Sequence, residues 1–385
     1  MTLGPRRVAA VAAAVLVIAG CSSKGKTREP AQLSDIPKPA LKIHSAWSHG
    51  VGNGSGGMYA GLRVAVGEDA VYVASADGEV EALRPDSGKR LWRAKTKARV
   101  ISGPSIDGDV VLVGTLGAQA IALKRSDGTE RWRAGVSSEV LAPPVGDGDT
   151  VAVRSGDGRI FGFDVATGNR TWSFDRTVPN LTLRGLSAPL VSDGRIFAGL
   201  DNGHVVALGL GDGQLAWEQA ISVPSGRTEL DRLTDIDADL LPGGPGLFVV
   251  TYGSDLALLD PSNGQSIWRR SVKSYTGMAL SENRLFVTDN DGFVEAFDTE
   301  SGAQVWKQEG LKYRQLSPPA FFNGYVVAGD YQGYLHWLSP EDGHFVARTR
   351  LSSHAITAPL VVGPKYLYAM DVKGEVAAIE AAPAR

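Results

Sequence analysis

Acidic side chains cluster in one short stretch of this sequence, and carboxylates readily bind hard cations. The stretch RTELDRLTDIDAD, residues 227–239, contains Glu229, Asp231, Asp235, Asp237 and Asp239. The alternation of the last three loosely resembles a calcium loop, where oxygen ligands recur at every second position. The central glycine and distal glutamate of an EF-hand loop are absent. The pattern therefore favours a hydrogen-bonded or protein-facing acidic loop over a calcium site.

The remaining polar residues show no pattern that catalysis or zinc binding requires. The six histidines have neither zinc-type spacing nor cysteine partners. No G-x-S-x-G nucleophile elbow is present in the sequence. The formal net charge is -3 and no basic stripe occurs. The chain therefore lacks the positive charge that neutralises phosphates when a protein binds nucleic acid. We therefore predict a chain that is not an enzyme and that binds no cofactor and no metal.

The single cysteine ends an N-terminal export signal. Arg6 and Arg7 precede an apolar run of 13 residues, Val8 to Gly20, and Cys21 follows directly. As a helix this run covers about 20 Å, less than the roughly 30 Å of a bilayer core, so it is a signal segment and not a membrane span. The sequence Ile18-Ala19-Gly20-Cys21 resembles a bacterial lipobox. That resemblance implies a lipid on Cys21, and Ser22 after it implies sorting to the outer membrane.

The rest of the chain repeats with a period near 40 residues. Three units read ADGEVEALRPDSGKRLW (76–92), GDGRIFGFDVATGNRTW (156–172) and NDGFVEAFDTESGAQVW (290–306). Each contains a turn, an alternating strand, a second turn with glycine, and a strand near a tryptophan. The second turn places glycine four residues before tryptophan in six units, and a seventh unit has Ala347 at the tryptophan position. The six pairs are Gly88/Trp92, Gly128/Trp132, Gly168/Trp172, Gly213/Trp217, Gly264/Trp268 and Gly302/Trp306.

These repeats predict an all-β fold, an eight-bladed β-propeller with four-stranded antiparallel blades. The last unit stops soon after the strand VAAIE, while Trp47 stands ahead of the first complete unit. We expect an N-terminal strand at Trp47 to complete the C-terminal blade and close the ring. The tryptophans are expected to pack between blades. The predicted organisation is a signal peptide (1–20), a lipidated cysteine with a flexible tether (21–42) and the propeller (43–381).

Two insertions interrupt the repeat, and function in repeat folds concentrates where the regular pattern is broken. The distance from tryptophan to the next first-turn glycine position is 26 residues from 92 to 118, but 31 from 172 to 203 and 36 from 217 to 253. The insertions lie in 177–189 and 222–240, at successive blade junctions, so we expect them to be neighbours on one face. Leu181 and Leu183 give the first insertion an apolar side. These side chains would bind a protein partner or plug the propeller mouth, and Arg184 would serve the partner or pair with Asp235 or Asp237.

The lipobox, the eight tryptophan-type blades, NLTLRG (180–185) and TELDRLTDIDAD (228–239) together resemble the BamB family of outer-membrane β-barrel assembly lipoproteins. NGYVVAGDYQGYLHWLSPEDGHFVA (323–347) is similar to the penultimate blade of that family. The resemblance covers essentially the whole mature chain. Leu186 departs from it where a polar residue is expected, and the stretch at Ala238 and Asp239 is more acidic than expected.

The resemblance implies a non-enzymatic scaffold of the outer-membrane β-barrel assembly (BAM) complex. Such a protein faces the periplasm, binds the POTRA domains of BamA and helps to insert β-barrel proteins into the outer membrane. It also implies that Leu181, Leu183, Arg184, Asp235 and Asp237 are the partner-binding residues. Two alternatives stay open. One is a dehydrogenase using pyrroloquinoline quinone, whose propellers have similar tryptophan repeats; the other is a periplasmic protein that binds unfolded barrel strands at its blade edges.

Overall fold

The chain forms a ring of β-sheets. The structure is a computed structural model that describes residues 28–58, 60–176, 178–185, 187–244, 246–253 and 255–384. The predicted signal peptide and Cys21 lie outside the described residues. The described strands form eight sheets. Each contains four antiparallel strands, joined in chain order except in the last, and the sheet of blade 2 has a fifth, parallel strand. This confirms the predicted eight-bladed propeller.

The first four blades follow one another along the chain. Their strands are Ala65–Val66, Val71–Ala74, Glu79–Leu83 and Arg90–Lys95 in blade 1; Val100–Asp107, Val110–Thr115, Gln119–Lys124 and Glu130–Gly135 in blade 2; Val145–Gly146, Thr150–Arg154, Ile160–Asp164 and Arg170–Phe174 in blade 3; and Leu190–Ser192, Arg195–Gly199, His204–Gly209 and Leu215–Ala220 in blade 4. A short strand, Gly61–Leu62, pairs in parallel with the first strand of blade 2.

The other four blades complete the ring. Their strands are Leu241–Gly243, Gly246–Val250, Asp255–Leu259 and Ser266–Ser271 in blade 5; Gly277–Leu280, Arg284–Thr288, Val294–Asp298 and Gln304–Gln308 in blade 6; Ala320–Phe322, Tyr325–Gly329, Tyr334–Leu338 and Phe345–Arg350 in blade 7; and Val361–Val362, Leu367–Met370, Glu375–Pro383 and Leu41–Gly50 in blade 8. A single turn of 3-10 helix, Leu230–Arg232, lies between blades 4 and 5.

The N-terminal strand closes the ring as predicted. Strand Leu41–Gly50 pairs antiparallel with Glu375–Pro383, and Trp47 lies opposite Ala378. The strand begins two residues before the predicted boundary at residue 43, because Leu41 is buried and pairs with Pro383. Both chain ends therefore share one sheet, and the N-terminal strand covers the edge that Glu375–Pro383 would otherwise expose.

The described part of the predicted tether is not a free linker. The amide of Ala31 donates to the carbonyl of Lys312 (2.8 Å), and the Arg348 guanidinium donates to the carbonyl of Ser34 (2.7 Å). Leu33 also packs against the apolar cluster between blades 6 and 7. Residues 28–40 thus lie along these two blades, which provide them with hydrogen-bond and apolar partners. Their polar composition gave no sign of these contacts.

Each repeat tryptophan packs on the glycine turn of the next blade, which confirms their predicted inter-blade role. A Cβ atom on Gly88, where φ is +65°, would lie 2.4 Å from the ring of Trp47. The indole nitrogen of Trp47 donates to the carbonyl of Pro85 in the same turn (2.8 Å). The same bond recurs from Trp92, Trp132, Trp172, Trp217, Trp268 and Trp306 to Arg125, Val165, Leu210, Pro261, Thr299 and Pro340, respectively.

Ala347 replaces tryptophan in blade 7 because the next blade has no turn to receive one. The corresponding turn of blade 8 would join Glu375–Pro383 to Leu41–Gly50, and these strands are the two separate ends of the propeller. The space is filled by Trp337, which lies opposite Ala347 on the neighbouring strand and is fully buried. The departure from the repeat is therefore a consequence of ring closure.

Candidate functional site: the loops joining blades 3, 4 and 5

The two insertions lie side by side, as predicted. The amide of Leu183 donates to Oδ1 of Asp235, and the amide of Ala188 donates to Oδ1 of Asp239, each at 2.7 Å. The first loop runs from the end of blade 3 at Phe174 to the start of blade 4, and its residues Thr177 and Leu186 lie outside the described residues. Two carboxylates of the second insertion thus hold the backbone of the first.

A buried ion pair supports the middle of the first loop. Arg154 of blade 3 pairs with Asp201, and both side chains are at most 5% exposed. A Cβ atom on Gly185 would lie 2.8 Å from the Asp201 carboxylate and 2.9 Å from the Arg154 guanidinium. Arg154 also donates to the carbonyl of Ser187 (3.5 Å). Glycine allows the loop backbone to approach this pair closely, and the pair satisfies a carbonyl of the loop.

The outward side of the same loop presents one apolar and one cationic side chain. Leu181 is 42% exposed and the Arg184 side chain 59% exposed, while Leu183 is half-buried between them. We call these three residues the 181–184 surface. Arg184 has φ of +66°, an uncommon backbone conformation for a non-glycine residue. Strain of this kind persists where surrounding contacts determine the backbone, as they do here.

Arg184 pairs with Glu139 of the loop between blades 2 and 3, and not with Asp235 or Asp237 as one hypothesis supposed. Both partners are accessible to solvent, so the pair contributes at most about 1 kcal/mol to stability. A carboxylate of a partner could therefore replace Glu139 at small cost. No sequence signal pointed to Glu139, because it lies 45 residues away in an ordinary blade junction.

Asp235 and Asp237 lie beneath the surface and not on it. Asp235 is fully buried, and Asp237 is 5% exposed and lines the cavity at the centre of the ring. Burial raises the pKa of Asp235 to about 6, against the opposing effect of the hydrogen bond from Leu183. The nearby Asp201 also raises this pKa. A direct contact between the Asp235 carboxylate and a partner would need the loops to rearrange, whereas its hydrogen bond with the amide of Leu183 supports the 181–184 surface from beneath.

The outer arc of the second insertion is a further exposed feature that the sequence reasoning missed. Thr228 and Asp231 cap each other reciprocally: each backbone amide donates to the side chain of the other (3.1 and 3.2 Å). Val223 and Leu230 on this arc are 72% and 68% exposed. Their apolar character inside a long insertion was the available signal.

The centre of the ring contains a cavity of about 440 Å³. Its lining combines apolar residues such as Met278 and Leu360 with the polar side chains of Arg63, Asp237 and Asp239. Among the described residues, no group of three or more His, Cys, Asp or Glu side chains is arranged to hold a metal ion. None of the helical structure in the described ranges is long and apolar enough to cross a membrane.

Comparisons with known proteins agree with the architecture. The sequence model of the family described as "Outer membrane protein assembly factor BamB" matches residues 76–308 and 290–385. The protein of that name from Pseudomonas aeruginosa is 43% identical over 372 residues, which cover 96% of this chain and 97% of the relative. The crystal structure of BamB from Moraxella catarrhalis superimposes with a TM-score of 0.81 at 28% identity, covering 88% of this chain and all of that chain.

A quinoprotein enzyme is also similar in structure, but only distantly. Quinohemoprotein alcohol dehydrogenase from Comamonas testosteroni matches with a TM-score of 0.70 and 12% identity, covering 88% of this chain and 76% of the enzyme. At this identity the similarity extends to the propeller fold alone.

Proposed function

This chain belongs to the BamB family of outer-membrane protein assembly factors, and from that premise we propose that its 181–184 surface binds BamA through the POTRA domains. The family assignment makes the chain a non-enzymatic assembly factor, in agreement with the sequence-based prediction. In our proposal it acts within the BAM complex as a scaffold on the periplasmic side of the outer membrane. The lipid on Cys21, which lies outside the described residues, anchors it there.

One observation carries this proposal: hydrogen bonds hold the backbone of the loop between blades 3 and 4, while its apolar and cationic side chains face outward. Asp235, Asp239 and Arg154 bond to its backbone at three points. Leu181 and Arg184 remain exposed. A surface ordered in this way loses little conformational entropy when a partner binds, so more of the contact energy appears as affinity.

The chemistry of the surface suits a protein partner that offers an apolar contact beside a carboxylate. Burying the exposed part of Leu181 contributes about 1 kcal/mol, since full burial of a leucine contributes about 1.5–3 kcal/mol. The Arg184 guanidinium can form two charge-assisted hydrogen bonds with a carboxylate, which fixes the orientation of the partner. Arginine with a neighbouring apolar residue is a frequent combination at the energetic centre of interfaces.

The test is the affinity of the mature chain for the purified periplasmic domain of BamA. Leu181→Ala removes the apolar contact, and Arg184→Gly removes the guanidinium while adopting φ of +66° without strain. We expect each variant to bind about 5- to 30-fold more weakly, equivalent to about 1–2 kcal/mol, with an unchanged melting temperature. Leu91→Ala, at a 51% exposed leucine on the outer strand of blade 1, is the matched control. Wild-type affinity in both surface variants would refute the proposed site.

A further inference from the structure

The chain segment between blades 8 and 1, residues 51–64, runs along the inner side of the ring. It leaves blade 8 with a hydrogen bond from the amide of Val51 to the carbonyl of Gly374 (2.9 Å). It then reaches blade 2, where Gly61–Leu62 pairs in parallel with Ser102–Gly103 and the amide of Arg63 donates to the carbonyl of Gly103 (3.0 Å). Several of its residues line the central cavity. Leu241 of blade 5 lines the same cavity, so the segment and the start of blade 5 share one lining.

Arg63 connects this segment to the insertion between blades 4 and 5. Its Nη1 lies 2.6 Å from Oδ2 of Asp239, and the two side chains are 19% and 40% exposed. The other carboxylate oxygen of Asp239 accepts the amide hydrogen bond of Ala188 (2.7 Å). One carboxylate thus joins Arg63, 176 residues distant in the sequence, to the loop that carries the 181–184 surface.

We propose that Arg63 is a positioning residue for partner docking: it orients the Asp239 carboxylate, and that carboxylate fixes the C-terminal end of the loop that carries the 181–184 surface. This inference rests on the proposed function of that loop. The direct contacts of the 181–184 surface are with Asp235 and Glu139, and Arg63 contacts Asp239 instead. Arg63 therefore acts on the surface through Asp239. Without the guanidinium, Asp239 can rotate towards solvent, and the amide of Ala188 loses a well-oriented acceptor.

The experiment measures BamA affinity and loop order in the full mature chain. Arg63→Gln and Asp239→Asn should each weaken binding about 3- to 10-fold, and the double variant should bind no more weakly than either single variant, because both changes break one connection. Arg63→Lys should restore part of the affinity, since the ammonium still reaches a carboxylate. Hydrogen exchange at the Ala188 amide should accelerate in Arg63→Gln.

Arg125→Gln is the matched control. Arg125 pairs with Asp69, its side chain is 25% exposed, and the pair lies between blades 1 and 2, away from the loops. We expect this change to leave BamA affinity and Ala188 exchange unchanged, even where it lowers the melting temperature as much as Arg63→Gln. Equal losses of affinity in the two variants would mean that Arg63 is merely structural, and would overturn the proposal.

The remaining outcomes separate the two hypotheses. If Leu181→Ala weakens binding and Arg63→Gln does not, the docking surface stands and the positioning role of Arg63 is wrong. If neither Leu181→Ala nor Arg184→Gly weakens binding, the proposed function of the surface fails, and the inference about Arg63 fails with it. Additive losses in the double variant would show that Arg63 and Asp239 act separately, which also contradicts the inference.

Discussion

The buried carboxyl of Asp235 gives a prediction in which one substitution changes stability and leaves binding nearly unchanged. Its pKa rises from an ordinary 3.8 to about 6 in the folded protein. Between these pH values the folded state keeps a proton that the unfolded chain has released, so the free energy of unfolding falls as pH rises. Above pH 6 the full penalty applies. At 1.36 kcal/mol per pKa unit it amounts to about 3 kcal/mol.

Asp235→Asn removes the charge and retains an oxygen that can accept the hydrogen bond from Leu183. We therefore expect the variant to be more stable than the wild type at pH 7, by up to about 3 kcal/mol, and equally stable near pH 4. Urea unfolding of both proteins from pH 4 to 8 measures this difference. The pKa of Asp289 is also raised to about 6 by burial, but it is present in both proteins and cancels.

The same variant distinguishes positioning from direct contact. If Asp235 only holds the amide of Leu183, Asp235→Asn should bind BamA within about 2-fold of the wild type, while Asp235→Ala should bind more weakly because the acceptor is lost. Reduced stability of Asp235→Asn at pH 7 would refute the reasoning about burial. A large loss of affinity in a stably folded Asp235→Asn would refute the positioning role and indicate that the charge itself meets the partner.

Two further changes test the fold and the anchor. Gly213→Ala should lower the free energy of unfolding by about 1–3 kcal/mol more than Gly194→Ala. Both glycines have φ near +70°, but only at Gly213 would the new Cβ lie 2.5 Å from the Trp172 ring. Equal urea midpoints for the two variants would contradict the packing of the tryptophans between blades. Cys21→Ser should abolish incorporation of labelled palmitate and move the protein from the membrane fraction to the soluble fraction; continued labelling would place the lipid elsewhere.

The architecture was predictable because the contacts that build it recur in the sequence. A glycine four residues before a tryptophan appears six times, and this regularity revealed the blades. The repeat did not show that each of these glycines packs against the tryptophan of the preceding blade, as Gly88 packs against Trp47. Spacing reports a period, and it does not report which units touch. The repeat also could not explain Ala347, which stands at a tryptophan position because blade 8 has no turn to receive a tryptophan there.

The site was only partly predictable for the same reason. Unequal repeat lengths located both insertions and their adjacency, since loop length is visible in a sequence. The alternation of Asp235 and Asp237 gave no information on burial, so both residues were expected to meet a partner and both lie beneath the surface. The supporting contacts of Arg63 and Glu139 join positions far apart in the chain, and no local pattern marks them.

The most direct test of the central claim is photocrosslinking in intact cells from a photoreactive amino acid at position 181, with position 91 on blade 1 as the control. We predict a single major adduct between position 181 and BamA, identified by mass spectrometry within a POTRA domain, and no such adduct from position 91. Adducts from position 181 with unfolded barrel proteins and none with BamA would contradict this account and favour direct binding of substrate strands.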